Sequence, residues 1–207
     1  ALMSVDYVLM TITASLLAGV ALVANNTVVV VASMLVSPLM GPILATVFGY
    51  IISDYNMLWI SLSSEIVALF VCIASGFIVG VAFSPWGDIL NWPNNEMASR
   101  GTTNGLLIGL GIAIPSGVGV ALGVLGGNTS SLVGVAISAS LLPPAVNCGI
   151  CWAYAAFGPS LVLSSPHGIH PEVDRMHFVR LGGISFSLTL LNIGCIFVFA
   201  YLTFKAK

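Results

Sequence analysis

Six long apolar segments constrain this 207-residue chain more than any other feature of its sequence. The hydrocarbon core of a bilayer is about 30 Å thick, and a helix needs about 20 apolar residues to cross it. Only 6% of the residues are charged, whereas an average soluble domain has about 25%. We therefore predict an all-α, multi-pass integral membrane protein whose first partner is the lipid bilayer. The expected spans are 5–24, 27–52, 58–82, 105–126, 129–157 and 178–204.

Two proline motifs lie at matching positions in the two halves of the chain. In the first half, Asn26 precedes an apolar run that ends at Pro38 and Pro42. In the second half, Asn128-Thr129 precedes a similar run that ends at Pro143-Pro144. The two asparagines, and likewise Pro42 and Pro144, are 102 positions apart. Because an interior proline removes a helical hydrogen bond, we predict that these proline pairs break the second and fifth helices.

The repeated motif also predicts a topology. Each half of the chain holds three spans, and an odd number makes the second half enter the membrane from the opposite side. We therefore predict two inverted three-helix repeats within a single transmembrane domain, residues 1–207. Repeat 1 covers about 1–83, repeat 2 covers about 104–207, and an interfacial loop, 84–103, joins them.

Two broken helices that enter from opposite sides would bring their breaks together near the middle of the bilayer, where transporters bind their solutes. Ser37 before Pro38 is typical of a helix N-cap, so we expect a half-helix to start there. The surroundings offer hydroxyls, an amide and helix ends but no charge, which favours a small polar or anionic solute over a multivalent cation. No metal or cofactor is predicted, and the alternative is that these residues only permit close helix packing. The predicted binding residues are Ser33, Ser37, Pro38, Gly41, Pro42, Ser138, Ser140, Pro143, Pro144 and Asn147.

Glu65 is the only acidic or basic residue well inside a predicted span. An intramembrane carboxylate is energetically costly, so we predict that Glu65 couples transport to a proton or a cation. The alternative is a side chain that reaches back to the membrane interface. Asn192, in the sixth span, is interpreted as a residue that forms a hydrogen bond between helices.

Glycines recur at Gly-x-x-x-Gly spacing, for example at Gly76/Gly80 and Gly105/Gly109. Small residues at this spacing allow helices to approach closely, so we predict tight contacts within the chain or between protomers. With only six spans and many such faces, a homo-oligomer is expected.

Enzyme signatures such as His-Glu-x-x-His, Gly-x-Ser-x-Gly and Gly-x-x-x-x-Gly-Lys are missing from the sequence, so no enzyme is predicted. A formal net charge of −2 without a basic tract argues against a nucleic-acid partner. We predict a membrane transport protein that moves its solute past the two breaks. One alternative is a homo-oligomeric ion channel, and another is a non-transporting membrane scaffold or sensor. The last alternative rests on the expectation that the chain, which opens at Ala1 beside an apolar segment, is the membrane core of a longer protein with soluble flanks.

Residues 32–42 (ASMLVSPLMGP) and 135–144 (VAISASLLPP) carry a resemblance to a known family. Here, and over about 10–155, the chain resembles the uncharacterised hydrophobic-domain membrane proteins grouped as domain of unknown function 389. The resemblance implies a multi-span domain that is found in microbes and some eukaryotes, often beside soluble regions. It implies no substrate and no catalytic residues.

Overall fold

The computed structural model describes the backbone of residues 4–87, 90–125, 131–161 and 171–206, which form eight α-helices and one 3₁₀ turn. Side chains are described for the same residues apart from 123–125, 131–135, 159–161 and 171–174. Asn128 and Thr129 of the second motif lie outside the described residues. The helices are α1 (Val5–Val23), α2 (Thr27–Val36), α3 (Met40–Ile51), α4 (Tyr55–Phe83), α5 (Asn95–Gly101), α6 (Thr103–Leu125), α7 (Ser131–Leu161) and α8 (Pro171–Ala206). The 3₁₀ turn, Ser84–Trp86, follows α4.

Five of these helices, α1, α4, α6, α7 and α8, are long and apolar enough to cross a bilayer. The shorter α2 and α3 pass the same test only as a pair, and they are bent by 52° relative to each other. The described chain therefore has five candidate spans, or six if the bent pair is one span. This architecture confirms the predicted all-helical, membrane-type fold class.

The bend between α2 and α3 falls at residues 37–39. Ser37 is extended (φ −70°, ψ 126°), because a following proline disfavours the helical conformation. The prediction that Ser37 caps the next helix is therefore wrong: Leu39 stands at the N-cap position of α3, and no side chain caps its first turn. Pro42 is the third residue of α3, where a backbone N–H has no acceptor within the helix, so this proline costs no hydrogen bond.

Helix α7 runs without interruption from Ser131 to Leu161, so the predicted break at Pro143-Pro144 is wrong. Pro144 has no N–H to donate to the carbonyl of Ser140, four residues earlier. Asn192 of α8 supplies the missing donor, since its Nδ2 lies 2.7 Å from the Ser140 carbonyl oxygen. Membrane helices tolerate proline where a neighbouring helix satisfies the freed backbone group. The prediction that Asn192 bonds between helices is confirmed.

The same helix, α7, occupies the centre of the bundle. Within its apolar stretch 83% of the residues are buried, against 33–39% in the other four long helices. It packs chiefly against α4 and α8, and it also contacts α1, α2, α3, α5 and α6. Every described long helix therefore has at least one face against α7, and these helices also pack against one another, α6 on α8 and α1 on α4.

Glycines set the distance between α4 and α7. A Cβ atom at Gly76 would collide with the Val146 carbonyl, and one at Gly149 would collide with the Ile73 carbonyl. Gly80 faces the backbone of Ile150 in the same way. Only glycine permits this approach, so the tight contact predicted from the Gly76/Gly80 spacing is confirmed.

The segment 84–103 contains a helix that docks against the start of the bundle. Asn94 accepts a backbone N–H of the first turn of α5, and its Nδ2 donates to the Leu22 carbonyl at 2.6 Å. The Glu96 N–H donates to the Asn25 side chain at 3.1 Å. Helix α5 is therefore fastened to the turn between α1 and α2, and we call these contacts the α5 clamp.

Replacing Gly149 with alanine tests the close contact between α4 and α7. The added methyl group meets the α4 backbone, so we expect a loss of about 1–3 kcal/mol of stability. Thermal unfolding of the purified protein in detergent, followed by circular dichroism, measures this loss. Gly194→Ala is the matched control, because no described atom lies within 4 Å of its Cβ position. Equal melting temperatures for the two variants would contradict the contact.

Candidate functional site

The residues predicted to bind solute do not form one site. The hydroxyls of Ser33 and Ser140 are used within their own helices, donating to the carbonyls of Val30 (2.6 Å) and Ile137 (2.8 Å). Gly41 is exposed, and a Cβ added there would contact nothing among the described atoms. Two residues of the α7 motif, in contrast, border a cavity.

This cavity, of about 190 Å³, lies between α6, α7 and α8 beside the end of α5. It brings the predicted residues Ser140 and Pro144 together with Arg100 and Asn192. We call it the Arg100 cavity, because arginine is its one charged lining residue. The rest of its lining comes from Ser99, Gly105, Ile108, Gly109, Ile112, Ala139 and Leu188.

A larger cavity, of about 410 Å³, lies between the α3–α4 turn and the end of α8. Its polar lining consists of Ser53, three tyrosines and Lys205, and none of these side chains is buried. Such tyrosines are typical of a membrane–water interface. The Arg100 cavity has the buried polar groups that a solute site needs, so it is the better candidate.

The proline pair of α7 supplies the Arg100 cavity with backbone acceptors. Pro144 frees the Ser140 carbonyl, which Asn192 takes, and Pro143 removes the helical donor of the Ala139 carbonyl. The Oδ1 atom of Asn192 is buried and has no hydrogen-bond partner among the described residues. A buried acceptor without a donor costs about 1–3 kcal/mol. An O–H or N–H donor that reached this buried oxygen would therefore stabilise it.

Arg100 contributes positive charge to the cavity. Its Nη1 donates to the Glu96 carbonyl at 2.6 Å and also to the Glu96 carboxylate. Both side chains of the pair are largely buried, with exposures of 18% and 17%. All hydrogen bonds of the guanidinium within the described chain come from Nη1, so Nε and Nη2 bond to no described residue.

Glu96 links Arg100 to the first half of the chain. Burial raises the pKa of Glu96, but hydrogen bonds from the Thr27 hydroxyl (2.7 Å) and from Arg100 outweigh it and hold the pKa below its ordinary value. Glu96 therefore stays ionised and ties Arg100 to the first residue of α2.

Asn147 does not line the cavity. Its Nδ2 donates to the Met97 carbonyl at 3.1 Å and to the Ser185 hydroxyl at 2.9 Å. The Ser185 hydroxyl donates in turn to the Arg100 carbonyl at 3.1 Å. This network joins α5, α7 and α8, so Asn147 positions Arg100 beside the cavity.

The remaining predicted residues lie at the bend, along α7 or, in the case of Glu65, on α4. Pro38 is half-buried and Pro42 is buried. Ser37 and Ser138 each present a buried hydroxyl that bonds to no described residue. Glu65, on α4, is 4% exposed, so its side chain does not reach the surface of the bundle.

Sequence reasoning missed Arg100, Glu96 and Ser99, which fell in the predicted interfacial loop. A signal for a short helix was present: an N-cap residue, Asn94, precedes an acidic residue in the first turn, and Glu96 and Arg100 are four positions apart. No local sequence pattern predicts that this helix docks against α7 and α8.

Comparison with known proteins gives a family but no activity. The profile of the family described as "Domain of unknown function (DUF389)" matches residues 34–198, from the end of α2 through most of α8. The chain is similar to an uncharacterized protein of Methanocaldococcus jannaschii, with 27% identity over 148 residues. The match covers 72% of this chain and 44% of that relative, so the chain spans less than half of the relative's length. No solved structure matches the chain.

A double-mutant cycle tests the pairing of Asn192 with the carbonyl that Pro144 frees. Asn192→Ala leaves the Ser140 carbonyl without a donor, and we expect it to cost about 0.6–1.7 kcal/mol. In a Pro144→Ala background the alanine N–H donates to the Ser140 carbonyl, so Asn192→Ala lowers the stability by less. Unfolding titrations in mixed micelles measure the cycle. Asn94→Ala, at a separate site, should cost the same in both backgrounds, and additive effects for Asn192 would contradict the pairing.

Acid should weaken the attachment of helix α5, because the Glu96 side chain bonds to Thr27 as a carboxylate. Because folding lowers the pKa of Glu96, its carboxylate stabilises the fold above the ordinary glutamate pKa of about 4.3, and this contribution is lost as pH falls through and below that value. Hydrogen exchange at residues 95–101, corrected for intrinsic rates, should therefore accelerate below about pH 4. Glu96→Gln has no charge to lose and should lack this acid response. The same response in both proteins would show that Glu96 is not its source.

Proposed function

The chain belongs to the DUF389 family, and from the cavity beside its central helix we propose that it is a membrane transport protein for a small oxyanion. The observation that carries this proposal is the Arg100 cavity. It combines a guanidinium with an asparagine oxygen that has no donor among the described residues, in a cleft between α6, α7 and α8 where Ile108 and Ile112 are exposed.

The size of the cavity supports a small solute. Its volume of about 190 Å³ is below the roughly 300–1,000 Å³ of pockets for drug-sized ligands. The solute therefore resembles an inorganic ion or a short organic acid in size.

The charge and hydrogen-bonding groups support an oxyanion that carries a hydroxyl. The free Nε and Nη2 of Arg100 form a planar fork that suits two oxygens of one anion. Asn192 Oδ1 suits an O–H donor on the same ligand. Phosphate, bicarbonate and glycolate have both features, whereas sulfate at neutral pH has the charge without the hydroxyl.

The packing of the helices supports two related halves. In the first half α1 and α3 pack against α4, and in the second half α6 and α7 pack against α8. We propose that α2 and α3 form one span, which makes six spans in two inverted three-helix repeats. In this proposal the break at 37–39 is the hinge of the first repeat, and the continuous α7 is the fixed wall of the cavity. A homo-oligomer stays a prediction.

Uptake into liposomes tests the proposal. We expect purified protein to take up radiolabelled phosphate, bicarbonate or glycolate with saturation, and to prefer them to sulfate. A variant with both Arg100→Gln and Glu96→Gln loses the guanidinium without leaving a buried unpaired charge. Since a hydrogen bond to a charged group contributes about 1.5–3 kcal/mol, uptake should fall about ten- to a hundredfold.

Arg180→Gln is the control, because Arg180 is exposed and lies outside the cavity lining. Its uptake should match that of the unchanged protein. Unitary current steps in a planar bilayer would favour the channel alternative. A folded protein that moves none of these anions would favour the scaffold or sensor.

A further inference from the structure

Glu65 and Tyr7 place three oxygen atoms without partners inside the bundle, away from the Arg100 cavity. Both carboxylate oxygens of Glu65, on α4, are buried and bond to no described residue. The hydroxyl of Tyr7, on α1, is buried and equally lacks a partner within the described chain. The two side chains belong to helices that pack directly against each other, α1 and α4.

No neighbouring group compensates a negative charge on Glu65. Helix α4 packs against α1, α3 and α7, and of these described helices only α1 carries an acidic or basic residue, the exposed Asp6. The other titratable group that interacts with Glu65 is the Cys72 thiol, on α4 itself. An ionised carboxylate in these surroundings would be buried without a counter-charge, which costs several kcal/mol.

Nearby hydroxyls do not compensate either. Ser61 and Ser64, on the same side of α4, donate to the carbonyls of Met57 and Ile60, both at 2.8 Å. Thr11, the buried hydroxyl beside Tyr7, donates to the Tyr7 carbonyl at 2.8 Å, so among these described hydroxyls none donates to the Glu65 carboxyl.

We propose that Glu65 is a proton-binding site and that its carboxyl, once protonated, forms a hydrogen bond with the Tyr7 phenol, a contact that the described structure does not make. A neutral carboxyl has one O–H donor and a carbonyl acceptor, and a phenol has one donor and one acceptor, so the pair is self-sufficient. A metal ion fits less well, because it needs about four to eight ligands and the cluster offers three oxygens.

The pair lies toward one end of the bundle, and its helix α4 packs against α7. Tyr7 is the third residue of α1, and Glu65 lies about 15 Å along α4 from Tyr55, so the proton has a short route to the end where both helices begin. Helix α4 also packs directly against α7, the wall of the Arg100 cavity. We infer that the proton on Glu65 drives oxyanion movement. This coupling rests on the proposed function, whereas the binding of the proton stands by itself.

Labelling with dicyclohexylcarbodiimide tests the proton site without any transport assay. The reagent modifies carboxyls that are protonated in apolar surroundings, and mass spectrometry locates the label. In lipid nanodiscs we expect labelling of Glu65 to fall about tenfold per pH unit above its titration midpoint. Glu65→Gln should remove the label, and Glu96→Gln should keep it.

Tyrosine variants test the partner. Tyr7→Phe removes the hydroxyl and should move the midpoint of Glu65 labelling, whereas Tyr55→Phe, at an exposed position of the same bundle end, should leave it unchanged. A folded protein in which Glu65 takes no label between about pH 5 and 9 would overturn the proposal. Protection of Glu65 by sodium ions at constant pH would also overturn it, in favour of a metal cation.

Proton flux separates this inference from the proposed function. A pH dye inside liposomes should report proton movement with the oxyanion, and Glu65→Gln should abolish it while oxyanion binding, measured by thermal stabilisation, persists. If Glu65 labelling titrates but no oxyanion moves, the proton site stands and the proposed function is wrong. If oxyanions move without protons, the coupling is wrong.

Discussion

The rest of this bundle depends on the rule that a buried backbone carbonyl needs a hydrogen-bond donor, and the carbonyl of Ser140 illustrates it. In an apolar interior little water is available for a backbone acceptor, so a carbonyl that a proline frees in a buried helix is stabilised by a donor from a neighbouring helix. Asn192 provides that donor for Pro144, and this bond lets α7 continue through the proline pair. A continuous α7 can stand at the centre of the bundle, with α4 held close by glycines on one side and α8 on another.

The two proline motifs therefore have different consequences. In the first half, Pro38 ends the helical conformation at Ser37, and Pro42 falls in the first turn of α3, where it needs no acceptor. In the second half, the prolines lie in a helix interior, and Asn192 of α8 donates to the carbonyl that Pro144 frees. The same residue type thus makes a bend in one half and a cavity lining in the other.

Helix α5 connects the start of α2 with the cavity beside α7. Thr27, at the start of α2, bonds to Glu96, and Glu96 holds Arg100 beside the cavity. Asn147 and Ser185 fix the same short helix from the opposite side. A movement of the α1–α2 turn would therefore reach the guanidinium through a short chain of hydrogen bonds.

The sequence by itself determined the fold class, because apolar segments of span length with few charges leave no other solution than membrane-type helices. It also indicated a tight helix contact at Gly76 and Gly80 and the interhelical role of Asn192, whereas only the structure identified α7 as the helix that the glycines approach. Only the tertiary structure decided that Pro143-Pro144 leaves α7 intact, since the compensating donor lies 52 residues away in the chain. It likewise decided where Arg100 lies, because the contacts that place α5 beside the cavity are made to α1, α7 and α8. Local pattern reports what a residue prefers, whereas the partner that satisfies a buried polar group is chosen by packing between distant segments.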